Sequence, residues 1–442
     1  MPCRGRECRR WLISWPPFRR RTLADPGVEG YSMLLRAFRP YLVTADRAQA
    51  VVSPAYDSMG SIERVAFARA HPDNYINTMR APDDFPPGQS PTSAQLLQHN
   101  VDQLQALLSD GSFVPSTADA LFVYRLSVAG HQQTGVVGEV PVAEYQDGNI
   151  KKHEGTRGEH EKHLCRYLDV VGASSSPISL AYRDPGDIED RVSALTRIAP
   201  ELDFVLPDGV RQQLWQVTDP EHIAALAAAF RRVPVAYLAD GHHRSAAAVH
   251  HAVSRRQDRG GASGPWDYLV VALFPATQLR VLSFNRCVKD LGGLAPADFL
   301  QRLAVDFTVE PVAEAAAASM PGERGQFLML LDGQRYSLTL AAPATTVDPV
   351  AGLDVSVLQD RVLQPLLGIS DARNDPRLDY VPGGNGLDGL RKRCDDGWQV
   401  GFVCFPTSLD ELMMVSDAGQ VMPPKSTCFE PKPCSGLFLR LS

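Results

Sequence analysis

The chain has 442 residues, 44% of them hydrophobic and 21% charged, with a formal net charge of −7. No run of eighteen apolar residues occurs, so no membrane span is expected. The acidic balance disfavours nucleic acid as the main partner.

The length predicts two or three packed units. Residues 1–32 are arginine-rich, and prolines break up their short apolar patch. They read as a disordered basic tail, or as sequence upstream of a start codon set too early. Residues 33–115 form a first α/β region. In it, V-V-S-P-A-Y-D at 51–57 suggests a strand running into a proline turn. A helix is predicted from the Ser/Thr cap near Thr92 to the stop at Gly111.

Residues 116–290 read as a core region. A-L-F-V-Y-R-L-S-V and H-Q-Q-T-G-V-V-G-E-V-P-V form a hairpin. A charged helix follows, E-H-E-K-H-L-C-R-Y-L-D-V-V from Glu159. S-P-I-S-L-A-Y and Q-L-W-Q-V supply strands, and a capped helix starts near Asp219. Tyr268–Pro275 and L-R-V-L-S-F-N-R-C-V at 279–288 are apolar enough for buried strands. Residues 291–442 form a third, α/β region. It holds a helix in L-A-P-A-D-F-L-Q-R-L, a hairpin split by Asp332-Gly333, a turn-rich loop at 374–384 and a closing strand. Alanine- and proline-rich pieces at 312–323 and 341–350 read as surface connections. No internal repeat is present. None of the eight cysteines forms a C-x-x-C pair, so they read as the reduced thiols of a cytoplasmic protein, and Cys428 and Cys434 as packing residues.

Two motifs carry chemistry. A-D-G-H-H-R, Ala239–Arg244, lies between the strand-like V-P-V-A-Y-L and the helix-forming S-A-A-A-V-H-H-A-V. Gly241 would occupy the strand-to-helix turn. The helix N-terminus then offers free amides and a partial positive charge to an anion. Arg244 adds a planar fork for phosphate. His242 or His243 can donate to the same oxygens, and Asp240 can hold a magnesium ion. The plainer reading is a polar turn that caps a helix. The second motif is I-K-K-H-E-G-T, Ile150–Thr156. Glu154 is a candidate general base and His153 a candidate orienting residue. Taken alone, this pair also fits a charged surface loop.

These motifs, together with M-P-P-K-S-T-C-F-E-P-K at 422–432, V-S-P-A-Y-D and L-D-Y-V-P-G-G at 378–384, resemble the domain-of-unknown-function family 1015. The resemblance runs from Met33 to the C-terminus. A more distant likeness, carried by the H-E pair and D-G-H-H-R, is to free-serine kinases of the ParB/sulfiredoxin fold. It implies a mixed α/β (α+β) protein with a ParB/sulfiredoxin-like nucleotide-binding core elaborated at both ends. It also implies Glu154 as the base, and Asp240, Gly241, His242, His243 and Arg244 as a phosphate cradle for ATP or ADP with Mg²⁺. Lys425 is a candidate to reach the phosphate from the proline loop. The sequence departs from the likeness in two ways: the motifs lie further apart than in compact kinases, and Gly155 replaces a charged residue of the unknown-function family.

The leading expectation is therefore a nucleotide-dependent small-molecule kinase, with free L-serine favoured over other amino acids and small alcohols. A ParB-like nucleotide-dependent DNA-binding protein and a catalytically silent nucleotide sensor are the alternatives. No Walker A run occurs, so a P-loop kinase is not expected. H-E-K-H at 160–163 has the wrong spacing for a zinc protease. His250 and His251 read as solvated or capping. The oligomeric state is open.

Overall fold

The computed structural model describes residues 33–86, 88–312, 320–342 and 346–441. The basic segment 1–32 and the middle of both alanine-rich connections lie outside the described residues. The architecture is mixed α/β, built on an eight-stranded and a six-stranded sheet. No helix among the described residues is long and apolar enough to cross a membrane.

The eight-stranded sheet draws all its strands from the middle of the chain. Their order is Ile150–Lys151, Ala236–Asp240, Ile178–Tyr182, Tyr268–Pro275, His131–Pro141, Leu121–Val128, Arg211–Val217, Leu202–Val205. The predicted hairpin closes at Val128 opposite His131, across a two-residue turn in which Ala129 and Gly130 both have positive φ. Strand alternation sends Phe122, Tyr124 and Leu126 into one apolar cluster and Leu121 and Val123 into another. The sheet is therefore buried on both faces. Two pairings are parallel, and one of them sets Ala236 beside Ile150 and Tyr237 beside Lys151.

The six-stranded sheet is antiparallel throughout. Its order is Phe307–Pro311, Gln334–Leu340, Gln326–Leu331, Val400–Cys404, Phe284–Val288, Leu378–Pro382. Met329, Phe402 and Val288 face a large cluster that also takes in Tyr237 and Ala239 of the first sheet, so the two sheets share a core. Cys287, Leu328 and Val403 face a thinner cluster under the helix Gly386–Asp395.

Two expectations change here. The apolar run 279–288 is two strands rather than one. Val281–Leu282 pairs with Cys428–Phe429, and after Ser283 the chain enters the six-stranded sheet. The segment 374–384 is not all loop. Leu378–Pro382 is an edge strand on Phe284–Val288, a five-residue stretch hidden in sequence by flanking turn residues. A small four-stranded sheet joins Tyr41–Val43 to the closing strand Phe438–Leu441, so the described ends of the chain meet. The proline loop ends in a cis Glu430–Pro431 bond.

Candidate functional site

The strand Ala236–Asp240 runs out at Gly241, and the helix His242–Asp258 begins at once. Gly241 has φ +100°, a conformation that side-chain-bearing residues rarely adopt, and an added Cβ would meet Ile178 and Arg244 at 3.3 Å. The first intrahelical bond runs from the Ser245 amide to the Gly241 carbonyl, 2.8 Å. The amides of His242, His243 and Arg244 thus lie outside the helical ladder. Ala246, Ala247, Val249 and Ala252 are buried and anchor the helix behind this terminus.

The second motif arrives from the neighbouring strand. Ile150–Lys151 pairs in parallel with Ala236–Tyr237, so both chains leave the sheet at the same end. That pairing brings together residues nearly ninety positions apart. The His153 and His242 rings meet edge to face at 4.5 Å, and His242 Nδ1 lies 3.8 Å from a Glu154 oxygen. His153 is fully buried; its Nε2 lies 3.1 Å from Thr427 Oγ1, and its carbonyl accepts from the Met422 amide at 2.8 Å. His153 therefore ties the motif to the proline loop.

Burial sets the protonation states. Desolvation pushes the Glu154 carboxyl above its usual range; Lys425 opposes the shift and Asp240 adds to it. The Glu154 side chain is 36% exposed, so this partly enclosed carboxylate still reaches solvent. Burial lowers His242 to about 4, against the pull of Asp240, and holds His153 well below the ordinary histidine range, with His242 adding to the effect. Both rings are neutral at neutral pH. His242 Nε2 is buried without a hydrogen-bond partner among the described residues.

Asp240 lies at the centre of a charge cluster. One oxygen accepts from Arg244, and the other pairs with Lys432 Nζ at 3.0 Å. Lys432 also pairs with Asp57 at 2.6 Å. Burial alone would raise the Asp240 carboxyl, but Lys432 and Arg244 outweigh it and hold the group below the carboxylate range. Arg244 is further fixed by the carbonyls of Ser176 and Pro177, at 2.6 and 2.9 Å. Its fork locks the turn, leaving little of it to grip a ligand. Magnesium needs several hard oxygen ligands. With both Asp240 oxygens already on cations, this donor set does not fit the expected magnesium ion.

The remaining candidates stand around this centre. Lys425 has a positive φ, an exposed side chain, and its Nζ 5.0 Å from the Phe284 ring centroid. His243 accepts from the Arg157 amide at 3.4 Å and lies beside His160. Lys432, Asp57 and Thr427 were not singled out as site residues. Their only signal was membership in the quoted motifs V-S-P-A-Y-D and M-P-P-K-S-T-C-F-E-P-K. His250 is partly exposed and pairs with Glu161 at 3.2 Å, whereas His251 is buried rather than solvated or capping and pairs with Asp169 at 2.8 Å. Cys428 and Cys434 are buried free thiols.

The fold is a mixed α/β one whose glycine turn and acidic loop converge at one end of a sheet. The chain belongs to the family described as a protein of unknown function (DUF1015), whose model matches residues 35–356. No curated protein matches the chain. Among solved structures it is similar to a free serine kinase in complex with AMP, at 14% identity over 66% of this chain and 86% of that one, TM-score 0.34. A C-terminally truncated SbnI from Staphylococcus aureus is 13% identical over 69% and 87%, TM-score 0.38. A conserved hypothetical protein from Pyrococcus furiosus is 14% identical over 67% and 93%, TM-score 0.33. Likeness at this level assigns no activity.

Proposed function

We propose that this chain transfers a phosphoryl group from a nucleotide to the hydroxyl of a small molecule, with free L-serine first among the acceptors. The amides of His242, His243 and Arg244 receive the donor phosphates, aided by the positive end of the helix dipole. Lys425, on the facing loop, adds a mobile positive charge. Glu154 takes the acceptor's hydroxyl proton as that oxygen forms its bond to phosphorus. The bond from phosphorus to the leaving nucleotide oxygen breaks, and the shortened nucleotide departs with the electron pair. Neutral His242 and His153 hold the Glu154 loop against the turn. The Asp240–Lys432–Asp57 cluster fixes the turn itself.

The observation that carries this reading is the 3.8 Å approach of His242, the first residue of the helix, to Glu154. A carboxylate with a raised pKa and an anion-binding helix start are thereby neighbours, the pairing that positioning and base catalysis need. The test is a transfer assay with ATP or ADP and L-serine, run on wild type and Glu154→Gln. Phosphoserine from wild type alone, with equal nucleotide binding by both, supports the reading. Failure of wild type to bind either nucleotide overturns it.

A further inference from the structure

We propose that a cavity walled by Pro423 and Pro424 of the proline loop is the receptor for a zwitterionic amino acid, with Arg286 as its carboxylate anchor. The assignment rests on the kinase reading only in making this amino acid the acceptor. The cavity measures about 500 Å³, within the range of roughly 300–1,000 Å³ common for small-ligand sites.

Arg286 is the first argument. It is 3% exposed and sits mid-strand in Phe284–Val288, on the face that carries Val288 into the shared core. Its fork donates to the carbonyls of Phe284 and Lys425, at 2.5 and 3.1 Å, and lies 5.4 Å from the Tyr380 ring centroid. None of these partners carries a full negative charge, and Arg286 makes no ion pair among the described residues. A buried guanidinium without a counter-ion is costly. A carboxylate entering the cavity would offset that cost and match the planar fork.

The rim supplies the complement. Arg373, exposed at the cavity edge, also makes no ion pair among the described residues, and its Nη2 would lie 4.0 Å from a Cβ at Gly155. Asp360 lies on a π-helical turn, Gln359–Leu363, that lines another wall, and no ion pair engages its carboxylate among the described residues. Such turns are rare and concentrate at functional sites. Two guanidinia, Arg286 and Arg373, and two carboxylates, Asp360 and Asp371, line one cavity without an ion pair among the described residues, and this set suits a ligand that bears both a carboxylate and an ammonium group.

The cavity also adjoins the proposed base. Met422, next to its proline wall, donates to the His153 carbonyl at 2.8 Å. Lys425, on the other side of that wall, opposes the upward shift of Glu154. Gly155, close to Arg373, follows Glu154 in the chain. As a glycine it brings no side chain into the space beside Arg373.

The experiment is calorimetric titration of the full chain with L-serine, with serinol, which lacks the carboxylate, and with 3-hydroxypropionate, which lacks the ammonium group. ATP and ADP are titrated separately on the same samples. We expect L-serine to bind at least ten-fold more tightly than either analogue. Arg373→Ala, an exposed change, and Arg286→Lys should each weaken L-serine at least ten-fold, and Asp360→Asn should weaken it while leaving 3-hydroxypropionate unchanged. Nucleotide affinity should stay constant in Arg373→Ala and in Asp360→Asn. Equal binding of L-serine and serinol, no binding of L-serine, or an unchanged L-serine affinity in Arg373→Ala overturns the assignment. Loss of nucleotide binding in wild type instead overturns the kinase reading, and the serine titrations still decide the cavity.

Discussion

The two large sheets each bury a charged side chain inside a strand, and they differ in whether that charge is paired. The eight-stranded sheet is apolar on both sides; Glu139, a charge buried inside one of its strands, is paired with Arg36 and Arg440, and the proposed site lies where strands end, at Asp240 and at the loop after Lys151. The six-stranded sheet has one deep core and one thin one, and its buried mid-strand charge, Arg286, makes no ion pair among the described residues. The first arrangement resembles the general placement of ligand sites at strand ends of α/β sheets. The second is harder to justify by stability alone, because a buried unpaired cation weakens a fold.

The predictions sharpen this contrast. The largest effect is on catalysis at the strand end. Glu154→Gln should lower turnover by roughly 10²–10⁴-fold, the usual contribution of a positioned base, while nucleotide affinity from calorimetry stays within two-fold, a rough band set by the ~0.4 kcal/mol it represents.

Next come two stability changes, one per sheet. Lys432→Met leaves buried Asp240 with Arg244 alone and should cost about 3–5 kcal/mol in urea melts, together with a weaker nucleotide site. Leu390→Ala empties part of the thin cluster under the six-stranded sheet. It should cost about 2–5 kcal/mol with nucleotide affinity unchanged. Equal nucleotide loss in both variants would break the contrast between the sheets.

A smaller effect is expected at the turn. Gly241→Ala forces a Cβ into a left-handed conformation and should cost about 1–2 kcal/mol. Nucleotide affinity should fall with it, because the amides that follow shift.

The smallest effect is in the pH dependence. His242 and His153 have folded pKa values below the unfolded value of about 6.5. Their neutral forms are favoured by folding, so this stability is complete above pH ~6.5 and is lost as pH falls towards the folded value, about 4 for His242. Glu154 acts in the opposite sense. Its raised pKa adds stability at low pH that fades as pH rises through the folded value. His242→Asn should therefore flatten the decline in melting temperature between pH 6.5 and about 4. An unchanged slope would show that His242 is not the responsible group. In turnover, the raised Glu154 pKa should move the acid limb to higher pH than an ordinary carboxylate gives.

Much of this was legible in the sequence because it is local. A strand, a glycine and an alanine-rich run determine the Gly241 turn, and all three lie within fifteen residues. The helix from Thr92 and the Asp332-Gly333 hairpin were legible for the same reason: a capping box and a turn with positive φ act over a few positions. The Lys432–Asp57 pair was not, since 375 positions separate its members and only the folded chain closes that gap. The locking of Arg244 by Ser176 and Pro177 was equally hidden, because those acceptors are backbone carbonyls without a side-chain signature. Arg286 gave no signal because a single cation in an apolar strand reads as an exposed position. The strand Leu378–Pro382 was obscured by the turn residues on either side of it.

The most direct test of the central claim is a crystal structure of the chain soaked with ADP. The account predicts phosphate oxygens within hydrogen-bonding distance of the His242, His243 and Arg244 amides, with the Glu154 carboxylate turned towards the same space. Nucleotide bound elsewhere, or a Gly241–Arg244 turn that stays unengaged at saturating ADP, would contradict it.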